Sequence, residues 1–324
     1  MALALEKLFE APSVEKFEVG DGTLNLLFSW GEPRVVFCSH IDTVPPYVAP
    51  SFVDEGGKPC GPMEAFKVLG RGSCDAKGQV FAMYEACKEL EKAGESGFGL
   101  LLLSGEETGS WGAKAFAKTG FRAPYLIVGE PTEGKMVSAS KGTKSYDLRF
   151  RGQAFHSGYP ERGVSAVDLF RKLMEALDRE RFDTDPELGE TTWNVGFLRS
   201  DNPQNILSPE LTCRLYFRTT FSTDSRVEEF MAGAPALLGG RLEVSARGGD
   251  SPARYMTVPG LPSAPASFGS DAPHLTGFGH KAILGGGSIN FAHRDDEQVL
   301  VSELKKQAED CVYIWNYLKD KQQI

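Results

Sequence analysis

Arg34-Val35-Val36-Phe37-Cys38-Ser39-His40-Ile41-Asp42-Thr43-Val44-Pro45-Pro46 opens on a short apolar, β-branched run and closes on two prolines. Residues 35–38 have the character of a strand buried on both faces, and they carry His40 and Asp42 to the strand's carboxyl end before the prolines stop it. Open α/β sheets place their chemistry at such ends. In extended backbone, positions i and i+2 point the same way, so one side chain can bind a metal while the other buttresses it. A ligating imidazole commonly donates its free N–H to a carboxylate. Alone, His-x-Asp reads as a core histidine beside a loop-capping aspartate. The remainder of the chain reverses that reading.

Downstream, residues 47–69 are rich in Pro and Gly and read as loop, closing on Gly70-Arg71-Gly72-Ser73-Cys74-Asp75-Ala76-Lys77-Gly78. Apolar residues at helical spacing follow over 80–92, so Asp75 sits in a glycine-bracketed turn just ahead of a helix, a position suited to presenting a ligand. Residues 99–103 read as a second buried strand, ending in Ser104-Gly105-Glu106-Glu107-Thr108-Gly109-Ser110. Adjacent carboxylates there repel one another, unless they only mark a solvated helix start. A third strand over 125–128 stops at Gly129-Glu130-Pro131-Thr132. Three buried-type strands in succession thus end in imidazole or acidic groups.

Before these, residues 3–9 read as a short helix and 24–30 as a strand, with Gly20-Asp21-Gly22 as a turn. From about Ser140 the pattern changes. The spacing predicts strand 144–151, helix 164–177, strands 191–198 and 211–220, helix 225–238 and strand 241–246, the order βαββαβ of a ferredoxin-like domain. The chain then returns to its earlier style with Gly269-Ser270-Asp271, Gly285-Gly286-Gly287 and Ala292-His293, and a helix over 302–319 closes it. The expected fold class is α/β, with a first domain built from 1–139 and 250–324 and an inserted ferredoxin-like domain at 140–249.

With 324 residues, 41% of them hydrophobic, the chain suffices for a large domain and a smaller one. A formal net charge of -9 disfavours nucleic acid and anionic membrane surfaces as partners. No apolar run approaches a membrane helix, and Glu and Lys come too early in 1–10 for a secretory signal, which predicts a cytoplasmic protein. Six scattered cysteines without C-x-x-C suggest reduced, buried thiols rather than disulfides or a thiolate zinc site.

The metal-competent residues are His40, Asp75, Glu107, Glu130 and His293. Two imidazoles and three carboxylates can hold a pair of zinc ions when one carboxylate bridges. Taken in order, Ser39-His40-Ile41-Asp42-Thr43-Val44-Pro45, Gly70 to Gly78, Glu106-Glu107-Thr108-Gly109-Ser110, Gly129-Glu130-Pro131-Thr132 and Ala292-His293 resemble one family. It is the zinc metallopeptidase and deacylase family that includes acetylornithine deacetylase, succinyl-diaminopimelate desuccinylase, aminoacylase and carboxypeptidase G. The resemblance runs over nearly the whole chain.

It implies a zinc-peptidase-like α/β catalytic domain with the ferredoxin-like insert as lid and dimerisation domain. His40 and Glu130 would bind one zinc, Glu107 and His293 the other, with Asp75 bridging, Asp42 orienting His40, and Glu106 serving as general base. His156, in Phe155-His156-Ser157-Gly158, would reach the active site of a partner subunit, implying a homodimer. Asn205 and Arg218 match positions that touch the substrate's carboxylate or the oxyanion, although Arg218 is equally read as a surface strand arginine. The N–H groups around Gly286 would approach a bound carboxylate, or the glycines serve only the turn. Cys74 is expected to be a bystander, and His274 and His280 to be structural.

The expected activity is removal of an N-acyl group from an amino acid, N-acetylornithine first. Succinyl-diaminopimelate desuccinylase and a metallo-di- or tripeptidase are the alternatives. Zinc, cobalt and manganese all suit such ligands. A non-catalytic metal- or amino-acid-binding protein, the reading from another class, predicts loss of the base or a ligand; Glu106 and all five ligand candidates are present.

Overall fold

Val35–His40 is buried at every position and hydrogen-bonded on both sides, parallel to Phe98–Leu103 and to Ala123–Val128. Phe278–Ile283 extends the sheet in parallel beyond Ala123–Val128. On the other flank Thr23–Trp30 runs antiparallel to Phe98–Leu103, and Ser13–Gly20 forms the edge. Four parallel strands therefore bring their carboxyl ends to one margin of the sheet. There His40 lies opposite Leu103, and Cys38 opposite Val128.

This computed structural model describes residues 1–322 and 324, and the chain divides into two units. The first comprises 1–138, 255–264 and 270–324; the second comprises 139–254 and 265–269.

In the first unit, helices Lys77–Lys92 and Val301–Asp320 pack side by side and place Val80, Met83, Ile314, Trp315 and Leu318 in one core with Phe28, Phe37, Leu100 and Ile127. Burial of that apolar area is the main stabilising term. Trp315 meets Phe98 edge-on at 5.4 Å. Gly78 lets the first of these helices start against the Asp75 turn: a Cβ there would lie 2.1 Å from the Ser73 carbonyl oxygen.

Two of the stretches that differ from expectation are 13–20 and 47–69. Ser13–Gly20 is a strand because it pairs along one edge with its neighbour, but its side chains stay largely exposed and no apolar run marks it. Within the Pro- and Gly-rich 47–69, Ser51–Val53 and Lys67–Leu69 pair antiparallel, and Gln298–Leu300 pairs with the latter.

The second unit follows Gly142–Arg151, Ala166–Arg179, Thr192–Arg199, Glu210–Thr219, Asp224–Leu237 and Leu242–Gly248, the order βαββαβ. Its antiparallel sheet runs, in space, second strand, third, first, fourth, which is the ferredoxin-like arrangement. Leu169, Leu173, Val227 and Met231 from the two helices cover Leu148, Phe150, Leu215 and Phe217 on one face. The opposite face carries cross-strand pairs, Arg214 and Arg247 lying 2.8 and 2.9 Å from Asp147.

All six cysteines are free, five of them buried. Among the described residues no helix is long and apolar enough to cross a membrane.

Candidate active site

His40 ends the central strand with only 1% of its surface exposed. Its Nε2 lies 3.0 Å from Asp75 Oδ1. His293 Nε2 lies 3.3 Å from the other oxygen of the same carboxylate, Oδ2, and 3.0 Å from Glu107 Oε1. Asp75 thus offers one oxygen to each of two imidazoles. His40, Asp75 and Glu107 present ligand atoms within 4.8 Å of one another. Glu130 follows the strand beside His40's and is 5% exposed.

Asp42 faces His40 Nδ1, with its carbonyl oxygen at 3.2 Å and its carboxylate at 3.6 Å. That carboxylate also takes three main-chain N–H groups: Oδ1 accepts from Gly105 at 2.8 Å and Glu106 at 3.2 Å, and Oδ2 accepts from Glu107 at 3.2 Å. One side chain therefore sets both the first imidazole and the turn bearing the paired glutamates.

The turn holding Asp75 has its own anchor, which sequence reasoning missed. Glu297 Oε1 accepts N–H bonds from Gly72, Cys74 and Asp75 at 2.9–3.0 Å, and Oε2 pairs with Arg71 Nη1 at 2.8 Å. The only sequence cue was an acid four residues after His293. Lys77, expected only as part of its motif, is a half-buried ammonium whose proton affinity is lowered by burial although Glu297, Asp42, Asp75 and Glu107 surround it.

Crowding shows in the ionisation. Burial, with Asp271 and Glu107 nearby, pushes Glu106 up to about 8. Burial likewise raises Glu130 far above the usual carboxyl range, and Glu107 more modestly. Burial would raise Asp75 too, but hydrogen bonds from His293 and His40 outweigh it and hold this carboxyl well below its ordinary range. Burial opposes charge on His40, yet Asp42 and Asp75 win and raise it; Asp75 raises His293 to about 9. Asp271, 2% exposed and raised by burial to about 6, adds a further acid whose Oδ1 has no hydrogen-bond partner among the described residues.

Of the two readings left open for the glycine loop, the bonds of Gly286 favour the one in which it serves the turn. Gly286 gives its N–H to Gln307 Oε1 at 3.1 Å, and its carbonyl accepts from Gln79 Nε2 at 2.7 Å. Gly285 N–H goes to Thr132 Oγ1. Two buried glutamines clamp the Gly286 peptide, so its N–H is not free for a substrate carboxylate. Cys74 gives its Sγ to the Ser288 carbonyl at 3.5 Å, and burial raises its thiol. His280 stacks on Tyr125 at 5.1 Å, away from the acidic groups. The remaining candidates lie in the second unit. His156 accepts the Gly158 N–H on Nδ1 at 3.1 Å, Asn205 is exposed and receives the Ser157 N–H on its carbonyl, and Arg218 stacks over Tyr216 at 5.1 Å.

The model of peptidase family M20/M25/M40 matches residues 36–315. The chain belongs to this family. A probable carboxypeptidase of Aspergillus flavus is 30% identical over 85% of this chain and 70% of its own. A tripeptidase of Staphylococcus aureus has the same fold, with a TM-score of 0.76 at 19% identity, over 93% of this chain and 87% of that one. A dinuclear metal-binding peptidase of Bacillus subtilis aligns with a TM-score of 0.64 at 10% identity, over 94% and 88%. The family member described here is accordingly a metal-dependent hydrolase acting on amides. Its donor set fits divalent cations: two imidazoles share one ionised carboxylate, and the partly buried Glu107 and buried Glu130 stand beside them.

Proposed function

We propose that this chain uses two divalent cations, zinc in the first instance, to hydrolyse the amide that joins an acyl group to an amino acid bearing a free carboxylate. The observation carrying this reading is Asp75, whose two oxygens face two different imidazoles, while Asp42 fixes the main chain of Glu106 beside them. In the reading, His40 and Glu130 hold one ion, Glu107 and His293 the other, and Asp75 both. When bound, the pair supplies an acidified water and polarises the amide carbonyl.

Glu106 does the proton work. Its raised proton affinity suits a carboxylate that accepts a proton from the attacking water and returns it to the departing nitrogen. Asp42 keeps Glu106 in reach and holds His40 by its Nδ1. His156 is assigned as a donor to the oxyanion, contributed from a partner subunit in a homodimer. Arg218 and Asn205 are assigned to the substrate carboxylate.

N-acetyl-L-ornithine remains the first substrate in this reading, and the carboxypeptidase and tripeptidase names among the similar proteins support short peptides with a free carboxyl end beside it. N-acetylornithine and the carboxyl-terminal bond of a short peptide both place the scissile amide on the α-nitrogen of a residue with a free carboxylate. The test is a side-by-side assay of N-acetylornithine, N-succinyl-diaminopimelate, a dipeptide, a tripeptide and the amidated form of each peptide, before and after chelation. Hydrolysis of acids but not their amides, abolished by chelator and restored by zinc, is expected. Equal turnover of the amidated peptides would sink the carboxylate requirement, and chelator-insensitive turnover would sink the metal assignment.

A further inference from the structure

Glu297 is 1% exposed, and its carboxylate is engaged by main-chain N–H groups and by the Arg71 side chain. One oxygen gathers the N–H groups of Gly72, Cys74 and Asp75, so the whole turn presenting Asp75 is wrapped around a single acceptor. The other oxygen holds Arg71, whose Nε in turn reaches the Pro46 carbonyl just beyond the His40 loop. The Glu297 carbonyl accepts the Gly70 N–H at 2.9 Å, and its own N–H returns to Arg294, the residue after His293. Glu297 therefore ties the turn that carries His293 to the turn that carries Asp75.

We propose that Glu297 is a positioning residue that registers the Asp75 turn against the His293 turn and thereby sets the spacing of the two cations. The inference rests on Asp75 bridging them. Three N–H groups converging on one oxygen fix the turn relative to that oxygen, and groups behind metal ligands are worth roughly 10- to 100-fold in metal affinity when removed. The decisive quantity is the reach of the acceptor oxygen, not the charge that pairs with Arg71.

Those two properties separate in substitutions. Glu297→Asp keeps the charge and withdraws the oxygen by one methylene. Glu297→Gln keeps an oxygen at full reach and discards the charge, and Arg71→Met/Glu297→Gln also removes the stranded guanidinium. The full chain, stripped by chelator and titrated with Zn²⁺ in a calorimeter, reads the effect directly. Two zinc ions are expected for the unsubstituted chain, with affinity roughly 10- to 100-fold weaker in Glu297→Asp and nearly unchanged in the double variant. At saturating zinc the kcat of Glu297→Asp should recover toward normal with KM unaltered. Affinity of Glu297→Asp equal to or tighter than that of the double variant overturns the proposal while leaving the two-metal reading intact. Fewer than two zinc ions in the unsubstituted chain overturns both. Should Glu297→Asp fail to fold, Arg71→Met/Glu297→Ala against Arg71→Met/Glu297→Gln makes the same comparison, and equal affinities there refute the role.

Discussion

Asp42 holds Glu106 by its main chain: the carboxylate that faces His40 Nδ1 also accepts the N–H of Glu106 at 3.2 Å, between those of Gly105 and Glu107. An aspartate expected only to orient an imidazole thus also builds the turn that carries Glu106, the proposed base. The two functions are coupled through one side chain.

Replacing Asp42 by Asn tests that coupling. The amide oxygen can keep Gly105 and Glu106, but the NH₂ meets the Glu107 N–H donor to donor. A fall in kcat of roughly 10- to 100-fold is expected, with KM little changed and less metal retained, measured by steady-state kinetics beside metal analysis. An unaltered kcat would mean that Glu106 keeps its place without Asp42.

Glu106→Gln preserves shape and removes the proposed proton acceptor. Metal content should match the parent, while the rate falls by roughly 10²- to 10⁴-fold, the worth of a positioned acid or base. Retention of full activity would transfer the proton chemistry to another group, with Lys77 the next to substitute.

Gly78→Ala places a methyl group 2.1 Å from the Ser73 carbonyl oxygen. Either the helix or the Asp75 turn must move, at a cost of about 1–3 kcal/mol. Denaturant unfolding together with zinc titration should show both lower stability and weaker binding. A loss of stability with unchanged affinity would place the strain in the helix alone.

In the second unit, Asp185 accepts N–H bonds from Glu187, Leu188 and Ser222 and the Ser222 hydroxyl. Burial opposes its charge, but these donors outweigh burial and lower its carboxyl to about 2. A depressed folded-state value means that the stabilisation is complete above the unfolded value, near 4, and disappears as pH falls through about 2. Asp185→Asn should unfold at a lower temperature at pH 7, and its deficit should shrink between about pH 4 and pH 2. A deficit independent of pH would assign the loss to shape rather than charge.

Much of this was legible because its cause is local. Strands such as Val35–His40 are buried on both faces, so their apolar runs stand out, and the groups that follow them arrive at one sheet margin by parallel pairing. The alternation and helical spacing of the second unit likewise reveal its six elements. Ser13–Gly20 escaped notice because its pairing is satisfied at an edge without apolar side chains to announce it. Glu297 was invisible for another reason: it acts on the main chain of a turn 222 positions away, and backbone acceptance leaves no mark on residue type. Gly286 looked free for the same reason, since its partners Gln79 and Gln307 come from two distant helices.

The way the first unit is split along the chain bears on synthesis. Its sheet needs Phe278–Ile283, its core needs Ile314, Trp315 and Leu318, and its Asp75 turn needs Glu297. None of these has been made when the four strands and two helices of the second unit, all within 142–248, have left the ribosome. Domains generally fold as units while the chain emerges. The inserted unit is thus the earlier to finish, and residues 1–138 wait, with five of the six sheet strands made and their core face incompletely covered, until the last helix arrives.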